Sequence, residues 1–234
     1  MISLFIATRN RHKVEEIKSI LGNQLNYLTL NEVPNAPLVV EDAATFAGNA
    51  TKKAVALAHC LSETRHASII SGHSFVLADD SGLEVDALNG APGVHSARFA
   101  ALDTGPAGNS SDSDNNAKLL RLLGDVPPDK RTARFRCVIA FTPVTENAPA
   151  GASPVCYADE HELQTSVFEG TCEGRIEFSP RGQGGFGYDP LFVPNGFDKT
   201  FAELGEDVKN RLSHRAKALS ALRSAFESGQ LGPL

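Results

Sequence analysis

The chain has 234 residues, 41% of them hydrophobic and 21% charged, which is enough apolar material to bury a sizeable core and argues against wholesale disorder. A formal net charge of −6 excludes a global positive field able to hold a nucleic-acid backbone, so no nucleic-acid partner is expected and any polyanion must meet a local basic cluster. Cys60, Cys137, Cys156 and Cys172 are widely separated with no C-x-x-C pair, which supports neither a zinc knuckle nor a redox dithiol.

The apolar start, residues 1–7, is too short to span a bilayer and lacks the basic flank and cleavage pattern of a signal peptide. A cytoplasmic protein with no membrane partner is expected. Residues 2–7 read as a buried strand, followed at once by a helix over 11–21 in which Val14, Ile17, Ile20 and Leu21 recur at helical spacing. Asn10 is its cap and Gly22 its stop. Strand, polar loop and helix in that order begin an α/β fold.

A second strand is predicted over 25–30, and Pro34 and Pro37 then mark an exposed connection. Thr45 caps a helix over 46–61, where Phe46, Ala50, Lys53 and Leu57 share one face. Residues 74–78 read as a buried strand running into Asp79-Asp80-Ser81-Gly82, with Gly82 permitting a sharp turn. Residues 101–116, rich in Gly, Ser, Asp and Asn, read as a surface loop before a short helix over 117–123.

Alternation over 133–141, 155–168 and 171–178 predicts antiparallel strands, the first two joined by a Pro/Ala/Gly-rich loop near 143–154. A last helix is predicted over 213–226, with Ala216, Leu219, Leu222 and Phe226 on one stripe. The expected organisation is a single domain over 1–234, open to division into two lobes.

Thr8, Arg9, Asn10, Arg11, His12 and Lys13 lie where a strand hands over to a helix. The N–H groups of a first helical turn and the helix dipole favour an anion there, and Lys13 adds a full positive charge. A capped helix with a solvated basic turn is the plain alternative. Lys53 lies on an apolar stripe, where a lysine needs an anion nearby or a route for its ammonium to water.

Asp79 and Asp80 are adjacent carboxylates at the end of an apolar strand, where open α/β sheets place ligands. Keeping both ionised beside phosphate requires a cation, and oxygen ligands suit Mg²⁺, with Glu41 or Asp42 completing the set. A turn is the alternative reading. Ser81 as a hydrolase nucleophile, with His214 or His95 as base, is discounted, because no G-x-S-x-G elbow is present and acids flank the serine.

Residues 182–187, Gly-Gln-Gly-Gly-Phe-Gly, formally match G-x-G-x-x-G, yet Tyr188-Asp189-Pro190 bars them from opening a helix. A nicotinamide-dependent oxidoreductase built on this run is therefore the weakest reading. A flexible backbone displaying Phe186 and Asp189 better suits a base-stacking pocket, in which an aromatic face is worth about 1–3 kcal/mol per base. Ser213-His214-Arg215 caps and opens the last helix and offers donors able to read a carbonyl.

In chain order, the combination of Thr8-x-Asn10-x-x-Lys13, Thr45-Phe46-x-x-Asn49-Ala50-x-x-Lys53-Ala54, Ala78-Asp79-Asp80-Ser81-Gly82-Leu83, Gly90-Ala91-Pro92-Gly93 with Ser96-Ala97-Arg98, Gly184-Gly185-Phe186-Gly187-Tyr188-Asp189-Pro190, and Lys209 with Ser213-His214-Arg215 resembles the inosine triphosphate pyrophosphatase family, also described as XTP/dITP diphosphatases. The likeness runs over about residues 2–222.

That resemblance implies a three-layer α/β/α fold with a mixed central sheet and an antiparallel β extension, an active site in the cleft between lobes, and a homodimer. It implies Mg²⁺-dependent hydrolysis of ITP, dITP and XTP to the monophosphate and pyrophosphate, which keeps these nucleotides out of DNA and RNA. Thr8 to Lys13 and Lys53 would hold the triphosphate. Glu41 and Asp80, with Asp79 close by, would handle the metal, and Asp80 would accept the proton.

Ser81, Phe186, Gly187, Tyr188, Asp189, Lys209, His214 and Arg215 would contact the nucleotide. A non-catalytic purine nucleotide-binding or sensing module is the alternative, against which the acids Glu41, Asp79 and Asp80 argue. The chain departs from the family at Arg9, where a glycine is usual, and in longer stretches near 62–74, 101–116 and 145–161.

Overall fold

A computed structural model describes residues 2–63, 73–103, 108–145 and 160–231. The chain opens with strand β1 (Ser3–Ile6), helix α1 (Arg11–Leu21) and strand β2 (Asn26–Thr29). Asn10 caps α1, its side chain accepting from the Lys13 N–H, and Gly22 closes it. The expected strand, loop and helix are therefore present with the expected cap and stop.

Helix α2 (Phe46–Glu63) follows, and Thr45 Oγ1 accepts from the Gly48 N–H at its start. Phe46, Ala50 and Leu57 are buried as their spacing predicts. Strand β3 (Ser74–Val85) then runs for 12 residues, so the turn predicted at Gly82 does not occur. Leu83 and Val85 are both fully buried, and their claim on the core carries the strand straight through Asp79, Asp80, Ser81 and Gly82.

Helix α3 (Asp112–Leu122) starts five residues earlier than predicted, capped by Ser111, whose side chain accepts from the Asp114 N–H. The Asp and Asn residues that read as loop are its first turns, and Asn115 and Asn116 are buried. Polar residues that favour turns also favour helix starts, so composition alone misplaced this boundary. Residues 104–107 of the predicted loop lie outside the described residues.

Strand β4 (Thr132–Pro143), the short helix α4 (Glu160–Leu163) and strand β5 (Ser166–Ile176) come next. The strand predicted over 155–168 lies partly outside the described residues, as do Cys156 and most of the stretches near 62–74 and 145–161. Its described part is helix α4 and the start of β5. That strand is continuous across residues 168–171, where the alternation predicts two, with Gly170 buried within it.

Strand β6 (Phe192–Pro194) pairs antiparallel with β5, setting Gly174 opposite Pro194. A Cβ at Gly174 would stand 2.3 Å from the Val193 carbonyl oxygen, so the close approach of β6 requires glycine there. Helices α5 (Phe201–Leu204), α6 (Glu206–Leu212) and α7 (His214–Glu227) complete the chain.

The strands hydrogen-bond in the order β2-β1-β3-β4-β5-β6, with β1 parallel to both β2 and β3. Parallel and antiparallel pairs together make a mixed α/β fold around a central sheet. The chain divides into two compact units: residues 1–80, 138–169 and 218–234, and residues 81–137 and 170–217. In the first, Phe75 stacks on Phe141 at 4.6 Å and Phe226 meets both edge-on.

The second unit has its own core of Leu83, Val85, Phe99, Leu119, Phe135 and Phe192 among others. Buried Arg131 ties it together by donating to the carbonyls of Leu123, Ile176 and Glu177. Among the described residues no helix is long and apolar enough to cross a membrane.

Candidate functional site

The first unit gathers one group of the predicted residues. β1 ends at Ile6, and the chain reaches α1 through Thr8, whose Oγ1 accepts from the Asn10 N–H, and exposed Arg9. Parallel pairing of β1 with β3 sets Ile6 beside Leu77 and so brings Asp79 and Asp80 to the end of β1 from which α1 departs. Lys13, in the first turn of α1, pairs with Asp79, whose side chain is wholly buried.

Arg11 turns away from this group to pair with Glu15 at 2.9 Å, its side chain 89% exposed, and His12 is also exposed. Lys53 reaches in from α2: its Nζ donates to the Asp79 carbonyl oxygen at 2.9 Å and lies 3.3 Å from Glu41 and 3.5 Å from Asp80. The lysine on the apolar stripe thus has anions for company, as its position requires.

Burial pushes the Asp80 carboxyl above its ordinary value of 3.8, against the pull of Lys53 and then Lys13; Glu41 adds to the push and Asn49 opposes it. One Asp80 oxygen, Oδ2, is buried with no hydrogen-bond partner in the structure. Asn49, buried on α2, has no role that the sequence alone predicts; its Oδ1 accepts from the Ala43 N–H and so fixes the segment that delivers Glu41. A buried amide four residues before Lys53, on the same helical face, is the signal that could have singled it out.

Of the two candidates ahead of α2, Asp42 is 64% exposed and pairs with Lys52, which holds its carboxyl below the ordinary carboxylate range. Glu41 instead shares Lys53 with Asp80. Among the described residues no three His, Cys, Asp or Glu side chains converge to form a metal cage. The donors nevertheless suit a hard cation: all are carboxylate oxygens, and one is buried without a hydrogen-bond partner.

The second unit gathers the other group. Lys209, on α6, meets Asp189 at 2.6 Å with side chains 4% and 2% exposed, and its ammonium lies 4.2 Å from the Phe186 ring centroid. Asp189 Oδ2 also accepts from the Phe186 N–H at 2.9 Å. Arg215 lies over the same ring at 6.0 Å and donates to Ser81 Oγ at 2.9 Å.

His214, buried, stacks on Phe135 at 4.8 Å, and His95 is exposed. Ser81 Oγ accepts from a guanidinium, a contact that does not activate a serine as a nucleophile. Tyr188 donates to the Ser96 carbonyl at 2.9 Å, and burial drives its phenol far above the ordinary value, so it remains a donor.

Residues 182–187 form neither strand nor helix, as the prolines and aromatics after them predict. At Gly185 (φ +74°) an added Cβ would stand 2.2 Å from Asp189 Oδ2, the oxygen that holds both Lys209 and the Phe186 N–H. Gly185→Ala is expected to cost about 1–3 kcal/mol in strain and to displace Phe186. Thermal denaturation checks this; an unchanged Tm would show that the loop adapts.

A parallel strand pair opening onto a basic helix start, backed by paired acids and lysines, defines a mixed α/β protein with the arrangement on which such folds place anionic ligands. The chain belongs to the Ham1 family, whose sequence model matches residues 4–225. It is 43% identical to a dITP/XTP pyrophosphatase of Opitutus terrae, over 94% of this chain and 97% of that protein. It is 46% identical to a dITP/XTP pyrophosphatase of Desulforamulus reducens, over 93% and 92%. The Ham1 protein of Staphylococcus aureus superimposes with a TM-score of 0.73 at 34% identity, covering 97% of this chain and 98% of that one.

Proposed function

We propose that this chain is a nucleoside triphosphate pyrophosphatase that hydrolyses the non-standard purine nucleotides ITP, dITP and XTP to the monophosphate and pyrophosphate. The observation that carries the reading is the group of two lysines and three acids around the start of α1, in which Asp80 keeps a buried oxygen without a hydrogen-bond partner. Membership of the Ham1 family supports it, as do relatives called dITP/XTP pyrophosphatases.

In this reading Lys13, Lys53, Thr8 and the first-turn N–H groups of α1 take the triphosphate, the lysines turning from carboxylate to phosphate as substrate arrives. Glu41, Asp79 and Asp80 would hold Mg²⁺, which when bound neutralises phosphate charge and the developing charge of the leaving pyrophosphate. Asp80 orients a water and accepts its proton. The water oxygen bonds to the α-phosphorus, the bond from that phosphorus to the bridging oxygen breaks, and pyrophosphate leaves.

Phe186 offers its face to the base, with Asp189 and Lys209 fixing its position. Arg215 and the N-terminal turn of α7 supply donors suited to a 6-keto purine, and adenine, lacking that acceptor, would leave them unmatched. Two copies of the chain would form the working unit, to be checked by sedimentation.

The test is a panel of ITP, dITP, XTP, GTP and ATP with and without Mg²⁺, scoring pyrophosphate and orthophosphate separately. Pyrophosphate release from the 6-keto non-standard purines, at least about tenfold faster than from ATP and abolished by chelation, is expected. Orthophosphate as the first product would overturn the reaction, equal turnover of ATP the selectivity, and binding without turnover would favour a sensing module.

A further inference from the structure

The first turns of α3 have no part in the proposed hydrolysis. Asp112 Oδ2 accepts from the Gly187 N–H at 2.7 Å, and Asn116 Nδ2 donates to the Gly187 carbonyl at 2.9 Å. The two residues are four apart, hence on one face of the helix, and they grip both polar groups of a single residue. Gly187 has φ +63° and joins Phe186 to Tyr188.

Four glycines among residues 182–187 leave the backbone unusually free, so an ordered Phe186 ring requires restraint from outside the run. The same helix start is itself secured. Asn115 Oδ1 accepts from the Ala100 N–H at 2.8 Å, and its Nδ2 donates to the Ala97 carbonyl at 3.3 Å. The Ala97 contact ties α3 to the segment Gly93–Arg98, from which the Ser96 carbonyl holds the Tyr188 hydroxyl.

We propose that Asp112 and Asn116 are positioning residues for base recognition, acting through Gly187 to fix the plane of Phe186 and thereby the discrimination between purines. This rests on the reading that Phe186 takes the base. Both act through the Gly187 backbone and have no assigned part in the chemistry at the phosphates. Their loss therefore acts on base selectivity and KM, leaving the hydrolytic step in place.

Asp112 is exposed, so its variants spare the core. Asp112→Ala is expected to lower kcat/KM for ITP about tenfold to a hundredfold, mainly through KM, because small misplacements of positioning groups have effects of that order. The slow turnover of ATP should be little changed, so the ITP to ATP ratio collapses. Asp112→Asn keeps an oxygen for the Gly187 N–H and should restore most of the ratio.

Asp114→Ala removes another first-turn acid, bonded to Ser111 and not to Gly187, and should leave the ratio intact. Thermal melts of all three variants report the helix itself. Equal losses in Asp112→Ala and Asp114→Ala, or no recovery in Asp112→Asn, would overturn the proposal in favour of simple helix stability. Wild-type protein that ignores ITP would sink the functional reading and this proposal with it. Selective wild-type hydrolysis with an unchanged ratio in Asp112→Ala would sink this proposal alone.

Discussion

Asp80→Asn is expected to abolish nearly all pyrophosphate release while leaving the fold intact. Removing a positioned acid or base group costs on the order of 10²- to 10⁴-fold in rate. The stability side follows from the raised carboxyl. A group whose folded pKa lies above its unfolded value takes up protons on folding, so its ionised form costs stability, and that cost is fully present above the folded pKa.

In metal-free protein at pH 7 the asparagine variant should therefore melt at the same temperature as the wild type or higher. The gain should shrink as pH falls towards 3.8, the ordinary value for the side chain. Lys53 retains Glu41 and the Asp79 carbonyl, so the substitution does not strand its ammonium. Calorimetry across pH 4.5–8 and a pyrophosphate assay with ITP and Mg²⁺ check the two halves independently. Near-normal turnover would remove Asp80 from the chemistry, and a clear drop in Tm would show that its charge supports the fold.

Lys209→Met should have the largest effect on stability. The Lys209–Asp189 pair is almost wholly buried, and removing one member of such a pair costs about 3–5 kcal/mol, because the remaining charge stays desolvated. For a chain of this size that corresponds to a fall in Tm of very roughly 6–20 °C. The Phe186 ring would also lose the ammonium against its face.

Asp189→Asn combined with Lys209→Met removes both charges and should recover a good part of the loss. The difference from additivity measures the coupling of the pair. A single Lys209→Met variant within about 1 kcal/mol of wild type would mean that the Asp189 charge finds water or a proton instead.

The two groups of residues were unequally legible in the sequence. The start of α1 could be read because cap, helix period and stop are local signals, and each acted on the chain as the spacing required. Lys53 could be read because an ammonium on an apolar stripe needs a counter-charge. Asp42 and Glu41 are neighbours with the same chemistry, and only the fold sends one to Lys52 and the other to Lys53.

The turn predicted at Gly82 failed because the burial of Leu83 and Val85 outweighs a glycine's freedom to bend, and burial depends on the rest of the molecule. The start of α3 was misplaced because Asp, Asn and Ser serve loops and caps alike. What decides between these is a contact far away in sequence, such as Asn116 on Gly187, 71 residues on.

By itself, then, the sequence determined the α/β beginning and the candidate acids and lysines, since these are written in local spacing, and it carried the ordered motifs that resemble the family. The tertiary structure alone decided which acid meets which lysine, that Asp80 lies in a continuous buried strand with its carboxyl pushed upward, and that α3 grips the glycine-rich loop. Those depend on burial and on approach between distant segments, and desolvation has no signature in any one stretch of chain.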